Sequence, residues 1–371
     1  MAMSTRYRIP QHFASQRSAA RSPAVWLGAA AALAACAWWV RHQTRRVQTE
    51  HPPQGRFVEV DGVRLHVMER GDPEAPPLVL LHGNGATAEE LVLSGLVARA
   101  AVRYRVLVFD RPGYGHSSPP PDWDPPTQAR LLLGALRQLG VAHPALVFGH
   151  SWGSLVALAM ALEAPHAVRA LVLASGYYHP GPRLDVPWMA APALPLVGTL
   201  MRHTVSPLLS RLLWPLFTRR MFWPREVTEP FRSDYPKWMS LRPGQLQASA
   251  TESALMIPWA MRLRSAYGEV QVPAVIVAGE KDRMVSTGWH ARWLHRTMPG
   301  SELRIVPEAG HMVHHVATHE VLKAIDEAAR RASPALAAVP DRSVVRTRPL
   351  DARVNADTTA PAAAGSSAIN G

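Results

Sequence analysis

The chain has 371 residues, 47% hydrophobic and 18% charged, which excludes a wholly disordered polypeptide. It has one long apolar run, so it is not a polytopic membrane protein, and its single cysteine, Cys36, excludes an intramolecular disulfide framework or a Cys-rich zinc site. The formal charge of +12 suggests a nucleic-acid binder until the charges are placed along the chain.

Residues 1–56 carry eight Arg and one Glu, for a net +7, residues 57–332 carry +4 and residues 333–371 carry +1. Most of the basicity therefore flanks the apolar run, the pattern of membrane targeting rather than phosphate recognition. No zinc-finger, basic-zipper or aromatic RNA-binding signature accompanies it, so no nucleic-acid partner is expected.

Residues 1–22 read as a basic leader and 23–40 as a membrane anchor or signal segment. As a helix, 18 residues rise about 27 Å, close to the roughly 30 Å hydrocarbon core. Arg17 and Arg21 precede the segment, Arg41, Arg45 and Arg46 follow it, and Trp38 and Trp39 sit at one end. Three readings stay open: an uncleaved signal anchor, a lipoprotein signal with lipid attachment at Cys36, and a cleaved signal or soluble amphipathic leader. Leu33-Ala34-Ala35-Cys36 resembles a Leu-small-small-Cys cleavage box, but Ala37-Trp38-Trp39-Val40 keeps the run apolar beyond it. The expected location is a bacterial inner membrane, anchored or as a lipoprotein, with the side undetermined.

Residues 41–56 read as a linker, with Pro52 and Pro53. Apolar runs flanking Asp61-Gly62 signal a hairpin. Short apolar strands are expected at 78–81, 105–109, 145–148, 170–174, 274–278 and 303–306. Helices are expected at about 87–100, 127–139, 152–163, 286–297 and 318–331. Strands alternating with helices predict an α/β fold with a doubly wound, mostly parallel sheet, its first part at 57–176 and its second at 263–332. Between them, 177–262 holds 12 of the 34 prolines and five of the 12 tryptophans, with a net charge of +5. It reads as a helical lid inserted after the sixth strand. Residues 333–371 read as a disordered tail.

The sharpest local signal is Gly149-His150-Ser151-Trp152-Gly153, after one strand and opening the next helix. A serine on such a turn exposes its hydroxyl at the sheet edge, and flanking glycines let neighbouring backbone pass close by. A hydroxyl is a weak nucleophile and needs a histidine held by a carboxylate. In the order Ser, acid, His, the partners are Asp282, after the strand 274–278, and His311, after 303–306. Glu280 is the competing acid. Backbone N–H donors for a tetrahedral oxyanion should come from Trp152 and from Asn84 in His82-Gly83-Asn84-Gly85, with Gly83, Gly149 and Gly153 giving close approach. His314, His315, His319, His290 and His295 read as solvated helix-face histidines rather than metal ligands. The methionines and tryptophans of the insert read as lid core that can also line an acyl pocket.

With these pieces in hand, residues 57–332 resemble a cap-bearing α/β-hydrolase of the serine-nucleophile branch. The matching segments are His82–Gly85, Asp110–Ser117, the turn at Ser151, Gly279–Asp282 and Gly310-His311. The resemblance implies that the Asp110–Ser117 loop shapes the site floor. The related epoxide hydrolases and haloalkane dehalogenases carry aspartate where this chain has Ser151, which argues against both activities. The expectation is a carboxylic-ester hydrolase acting on lipophilic, neutral or anionic small-molecule esters, with no cofactor, no metal, and membrane contact through 23–40. A proline-iminopeptidase-like peptidase and a cofactor-free perhydrolase use the same three residues, although the basic insert disfavours a cationic substrate. A non-catalytic receptor on the same fold stays open. So does a dinucleotide-binding protein with Gly83–Ala88 as fingerprint and Asp110 on the ribose.

Overall fold

The structure is a computed structural model, and it describes residues 23–332. The basic leader and the tail lie outside the described residues. Eight strands form one sheet: β1 (Arg56–Val60), β2 (Val63–Arg70), β3 (Pro77–Leu81), β4 (Arg105–Phe109), β5 (Ala145–His150), β6 (Val168–Ala174), β7 (Ala274–Gly279) and β8 (Glu302–Val306). Their order is β1-β2-β4-β3-β5-β6-β7-β8. β1, β2 and β4 pair antiparallel, and every pairing from β4 to β8 is parallel. The β1–β2 hairpin turns at Asp61 (φ 50°) and Gly62 (φ 77°), a two-residue turn in which both central positions need positive φ.

The helices are α1 (Pro23–Glu50), α2 (Ala88–Leu93), α3 (Leu96–Ala100), α4 (Pro125–Gln138), α5 (Trp152–Glu163), α6 (Val186–Ala190), α7 (Val197–His203), α8 (Val205–Phe222), α9 (Glu229–Asp234), α10 (Lys237–Leu241), α11 (Pro243–Leu263), α12 (Ala291–Thr297), α13 (Val313–Val316) and α14 (Thr318–Ala332). They cover both sheet faces, as a parallel sheet requires. Alternation along β3 assigns the layers. Val79 and Leu81 face Leu132, Leu155 and Leu158 of α4 and α5. Leu78 and Leu80 face the side of α2, α3 and α14, with Leu91, Leu96 and Ile325. Asp124 caps α4 by accepting from Thr127 N at 2.7 Å, with two prolines in its first turn.

Three expectations shift. α1 does not stop at residue 40 but runs through most of the presumed linker to Glu50. No Gly or Pro lies between Val40 and Pro52, Val47 is buried, and Arg46 pairs with Glu50 at 2.8 Å. The helix expected over 87–100 is split at Gly95, whose φ of +74° breaks α-geometry. The one expected from 286 begins only at Ala291. Between β6 and β7, helices α6–α11 form the insert.

Candidate functional site

The sheet order brings the candidate residues together. β3 lies between β4 and β5, where chain direction along the sheet reverses, the place where open parallel sheets leave a crevice at their carboxyl ends. Because β3 and β5 are neighbours, the loop after β3 and the turn after β5 meet. A Cβ on Gly83 would lie 3.1 Å from Ser151 Cβ, and one on Gly153 would lie 2.6 Å from both Leu81 O and His82 O. A Cβ on Gly149 would overlap the backbone of Gly153. Glycine at 149 and 153 is what lets α5 start this close to β3.

Ser151 has φ 52° and ψ −117°, a strained conformation for a residue with a Cβ. Its N–H donates to Ala174 O at 2.8 Å, which anchors the turn to β6. Trp152 is the first residue of α5, where an N–H has no partner within the helix.

β7 and β8 are adjacent, with Gly279 opposite Val306, so the loops carrying Asp282 and His311 leave the sheet side by side. A side chain at Gly279 would strike the carbonyls of Ala309 and Gly310. His311 Nδ1 lies 2.9 Å from Asp282 Oδ2, and Asp282 Oδ1 accepts from Met284 N at 2.7 Å and Val285 N at 2.9 Å. This leaves Nε2 as the other imidazole nitrogen. His311 and Ser151 line the same cavity. Glu280, by contrast, is half exposed and faces Lys281.

That cavity encloses about 910 Å³ of empty space, its open mouth included. Its wall is largely apolar and sulfur-rich, with Met189, Met221, Met256, Met284 and Met312 beside Trp214 and Phe217. The insert's methionines and aromatics thus do line the cavity. Arg183 is the cation in the wall, and no acidic residue of the insert lines it.

The side chain of Asn84 does not reach toward a ligand. Its Nδ2 donates to Ser249 O (3.2 Å) and Ser253 Oγ (3.1 Å) of α11, and its Oδ1 accepts from Tyr114 OH at 3.0 Å. Only its main chain remains for an oxyanion.

The Asp110–Ser117 loop contributes two buried carboxylate or guanidinium centres. Asp110 accepts from Ala88 N (2.8 Å) and His116 N (3.0 Å) and lies 2.8 Å from His66 Nδ1. Burial works against its charged form, but His66 and these donors outweigh that and lower its pKa. A carboxylate so engaged has no free oxygen pair for a ribose, which removes the main support for a dinucleotide site. Arg111 is fully buried and forms a two-pronged pair with Glu252 of α11, at 2.5 and 3.0 Å. Its donors also hold His82 O (2.8 Å), Gly83 O (3.1 Å) and Gln128 Oε1 (2.8 Å). Tyr114 OH (2.7 Å) and Gln128 Nε2 (2.9 Å) complete the shell of Glu252. Sequence reasoning missed this network. Its one visible trace was a lone acid in the long apolar stretch of α11.

The histidine reading is corrected. Of the five, His314, His315 and His290 are buried, and His319 and His295 lie at the surface. Glu90 of α2 accepts from His314 Nε2 at 2.6 Å and from His315 Nε2 at 3.0 Å. Burial pushes the Glu90 carboxyl up, but the two imidazoles outweigh this and hold it well below the usual range. His150 packs between His311 and His314, its ring tilted 55° to each, and its Nε2 meets His311 O at 3.1 Å. Burial, then His314 and His311, keep it neutral. Among the described residues, Glu90, His150 and His314 are the group whose ligand atoms fall within 4.8 Å of one another. Glu90 Oε2 is already spent on two N–H groups. The pattern went unseen because the chain carries His314 and His315 on α13, a helix of four residues too short to show an amphipathic period.

Comparison with known proteins identifies the fold. A family model described as alpha/beta hydrolase fold matches residues 76–318. The chain belongs to the α/β-hydrolase family and is a hydrolase of that family. It is 30% identical over 259 residues to the 2-hydroxy-6-oxononadienedioate/2-hydroxy-6-oxononatrienedioate hydrolase of Burkholderia vietnamiensis, covering 67% of this chain and 85% of that one. A shorter match, 38% over 141 residues, is to epoxide hydrolase A of Mycobacterium tuberculosis, covering 36% of this chain and 42% of the enzyme. Among solved structures, a membrane phospholipase A superimposes with a TM-score of 0.57 at 20% identity, covering 83% of this chain and 97% of that one.

Proposed function

We propose that this hydrolase cleaves carboxylic esters through an acyl-enzyme on Ser151. His311 takes the Ser151 hydroxyl proton through Nε2 as the oxygen attacks the ester carbonyl. Asp282 holds the imidazole through Nδ1 and stabilises its positive charge. The oxyanion is met by the main-chain N–H groups of Trp152 and Asn84. His311 then gives its proton to the leaving alkoxide, and water clears the acyl group by the same route in reverse.

The observation that carries this reading is the 2.9 Å Asp282–His311 contact beside a cavity that His311 shares with a strained Ser151. The apolar, methionine-rich wall favours a lipophilic acyl group. The cavity's Arg183 is paired with Asp185 at 2.6 Å, and it is the net +5 of the insert as a whole that favours neutral or anionic substrates over an ammonium, and so an ester over a peptide amine. In this proposal α6–α11 serve as a lid. Residues 23–40 anchor the chain: α1 is long and apolar enough to cross a membrane, and the structural neighbour is called a membrane phospholipase.

The test is fluorophosphonate labelling with an ester chain-length panel on wild type and Ser151→Ala. Wild type should label and turn over esters, and Ser151→Ala should do neither. A wild type that neither labels nor hydrolyses any ester, lactone or amide defeats the reading.

A further inference from the structure

The insert exposes apolar side chains on a scale that the rest of the molecule does not. Among the described residues, twelve of the 20 exposed large apolar side chains lie between Leu184 and Phe217, and four more lie on α1, while the sheet and its own helices and loops show three. Trp188 is 84% exposed, Leu196 86% and Leu212 74%. Scattered surface leucines are ordinary, but a concentration of this kind marks a contact surface.

α8 shows what it contacts. Leu209, Leu212, Leu213 and Leu216, at i, i+3, i+4 and i+7, form one face and are exposed. Trp214, Phe217, Thr218 and Met221, at the same spacing, form another face and line the Ser151 cavity. A helix apolar on two faces, whose mid-helix charge Arg211 lies over the Trp238 ring at 5.8 Å, belongs in a core or against lipid, and the outer leucine face of α8 has no protein over it among the described residues. Arg219 and Arg220 stand exposed at its C-terminal end, where long cationic stems reach a headgroup layer.

The occupant follows from α1. α1 packs against α7, α8 and α10 of the insert. Leu33, Cys36, Ala37 and Val40 form the half-buried or buried face, and Trp39 meets Trp238 edge-on at 5.0 Å. A segment apolar enough to span a bilayer therefore rests on the insert over its last two turns before Arg41. With residues 33–40 at hydrocarbon depth, the neighbouring faces of α7 and α8 lie at the same level.

We propose that α7 and the leucine face of α8 are embedded in the lipid bilayer beside α1, so that acyl esters dissolved in that bilayer enter the Ser151 cavity directly from the hydrocarbon side. α8 is then a wall one helix thick between lipid and nucleophile. Phe217 lines the cavity and is 40% exposed, which places it at the opening. The substrate class is a membrane-resident acyl lipid, and the basic insert matches an anionic headgroup. This part rests on the ester-hydrolase reading, whereas the embedding does not.

The experiment uses the full chain in phosphatidylcholine–phosphatidylglycerol vesicles. In a Cys36→Ser background, Leu212→Cys carries an environment-sensitive fluorophore, and lipids brominated along the acyl chain serve as quenchers. The label should shift to the blue and be quenched by acyl-chain bromines, while a label at Val102→Cys, 75% exposed on the body, should not. Leu212→Glu/Leu216→Glu, which leaves the cavity lining intact, should lose at least tenfold in hydrolysis of a vesicle-borne phospholipid. Its turnover of a water-soluble butyrate ester should stay within twofold of wild type. An unquenched Leu212 label overturns the embedding, as does a label shielded by a second copy of the chain. Equal losses on both substrates overturn bilayer entry. Quenching needs no turnover, so an enzyme inert toward every ester defeats the ester-hydrolase reading without touching the depth result.

Discussion

Replacing Glu252 by Gln isolates the tie between the insert and the loop after β3. The carboxylate accepts from both terminal nitrogens of Arg111, from Gln128 and from Tyr114, and neither Glu252 nor Arg111 is exposed to solvent. Gln keeps the shape but removes the charge, and it turns an NH2 toward guanidinium donors. Breaking one partner of a buried pair leaves an uncompensated charge and costs about 3–5 kcal/mol. At roughly 2–4 °C per kcal/mol for a domain of this size, Tm should fall by about 6–20 °C. The same change frees Arg111 from its position on His82 O and Gly83 O, so kcat should fall more than KM rises. Denaturant titration and calorimetry on Glu252→Gln measure the first effect, and ester kinetics the second. The decisive comparison is Arg111→Met/Glu252→Leu, which removes both charges and should recover at least half of the lost stability. A Glu252→Gln variant within about 1 kcal/mol of wild type, or a double variant no more stable than the single, would refute the claim that this pair is an obligatory buried charge balance.

Three further outcomes follow from the geometry. Ser151→Gly should abolish fluorophosphonate labelling yet raise stability by about 1 kcal/mol, because glycine accepts φ 52° without the strain a Cβ adds; a destabilised variant in urea titration would contradict that. Gly153→Ala should lose about 1–3 kcal/mol and most labelling, since its Cβ would lie 2.6 Å from two carbonyl oxygens; normal labelling would show that α5 can move off β3. Glu90→Gln should cost about 3 kcal/mol at pH 7. The folded-state Glu90 carboxyl sits below its ordinary value, so its stabilisation is present above the unfolded pKa of about 4.3 and fades as pH falls through the folded value. The gap between variant and wild type, followed by thermal unfolding from pH 7 downward, should therefore close only in strong acid, and a gap that opens as pH falls would reverse the assignment.

The parts of the site written in local order were legible in the sequence. Gly149 to Gly153 between an apolar strand and an apolar helix fixes the turn, and Asp282 and His311 each follow a strand end. What they share is short range: a strand, its terminus and the loop beyond it. The parts that depend on packing between distant segments were not legible. Glu252 lies 141 residues from Arg111, and Glu90 lies 224 from His314. No periodicity records such pairs. A charged residue in an apolar stretch announces only that it needs a partner, not which one. The run of α1 past residue 40 was hidden for a different reason. Its second half is polar on most sides, and its stability there comes from Val47 and neighbours resting on the body rather than from composition.

These two networks also decide which part of the insert can move. Glu252 and the Asn84 contacts clamp α11 to the loops after β3 and β4, so α11 is part of the site's fixed frame. Glu90 clamps α2 to α13 just beyond His311, and His150 Nε2 meets the His311 carbonyl, which fixes the imidazole's backbone from behind. Among the described residues α8 has no comparable buried ion pair. Its polar links to the core are Arg220 to Arg283 O at 3.1 Å and His311 N to Met221 O at 3.1 Å, both near its C-terminal end. Its N-terminal half meets the rest of the protein through apolar side chains, and contacts of that kind are exchanged for lipid at little cost. Opening of the cavity is therefore expected at α6–α8, hinged near Arg220, with α11 unmoved. Hydrogen exchange on the full chain in vesicles should find α11 amides protected to the global limit, with α6 to the first half of α8 exchanging through a local opening. The reverse order would place the hinge on the wrong side of the cavity.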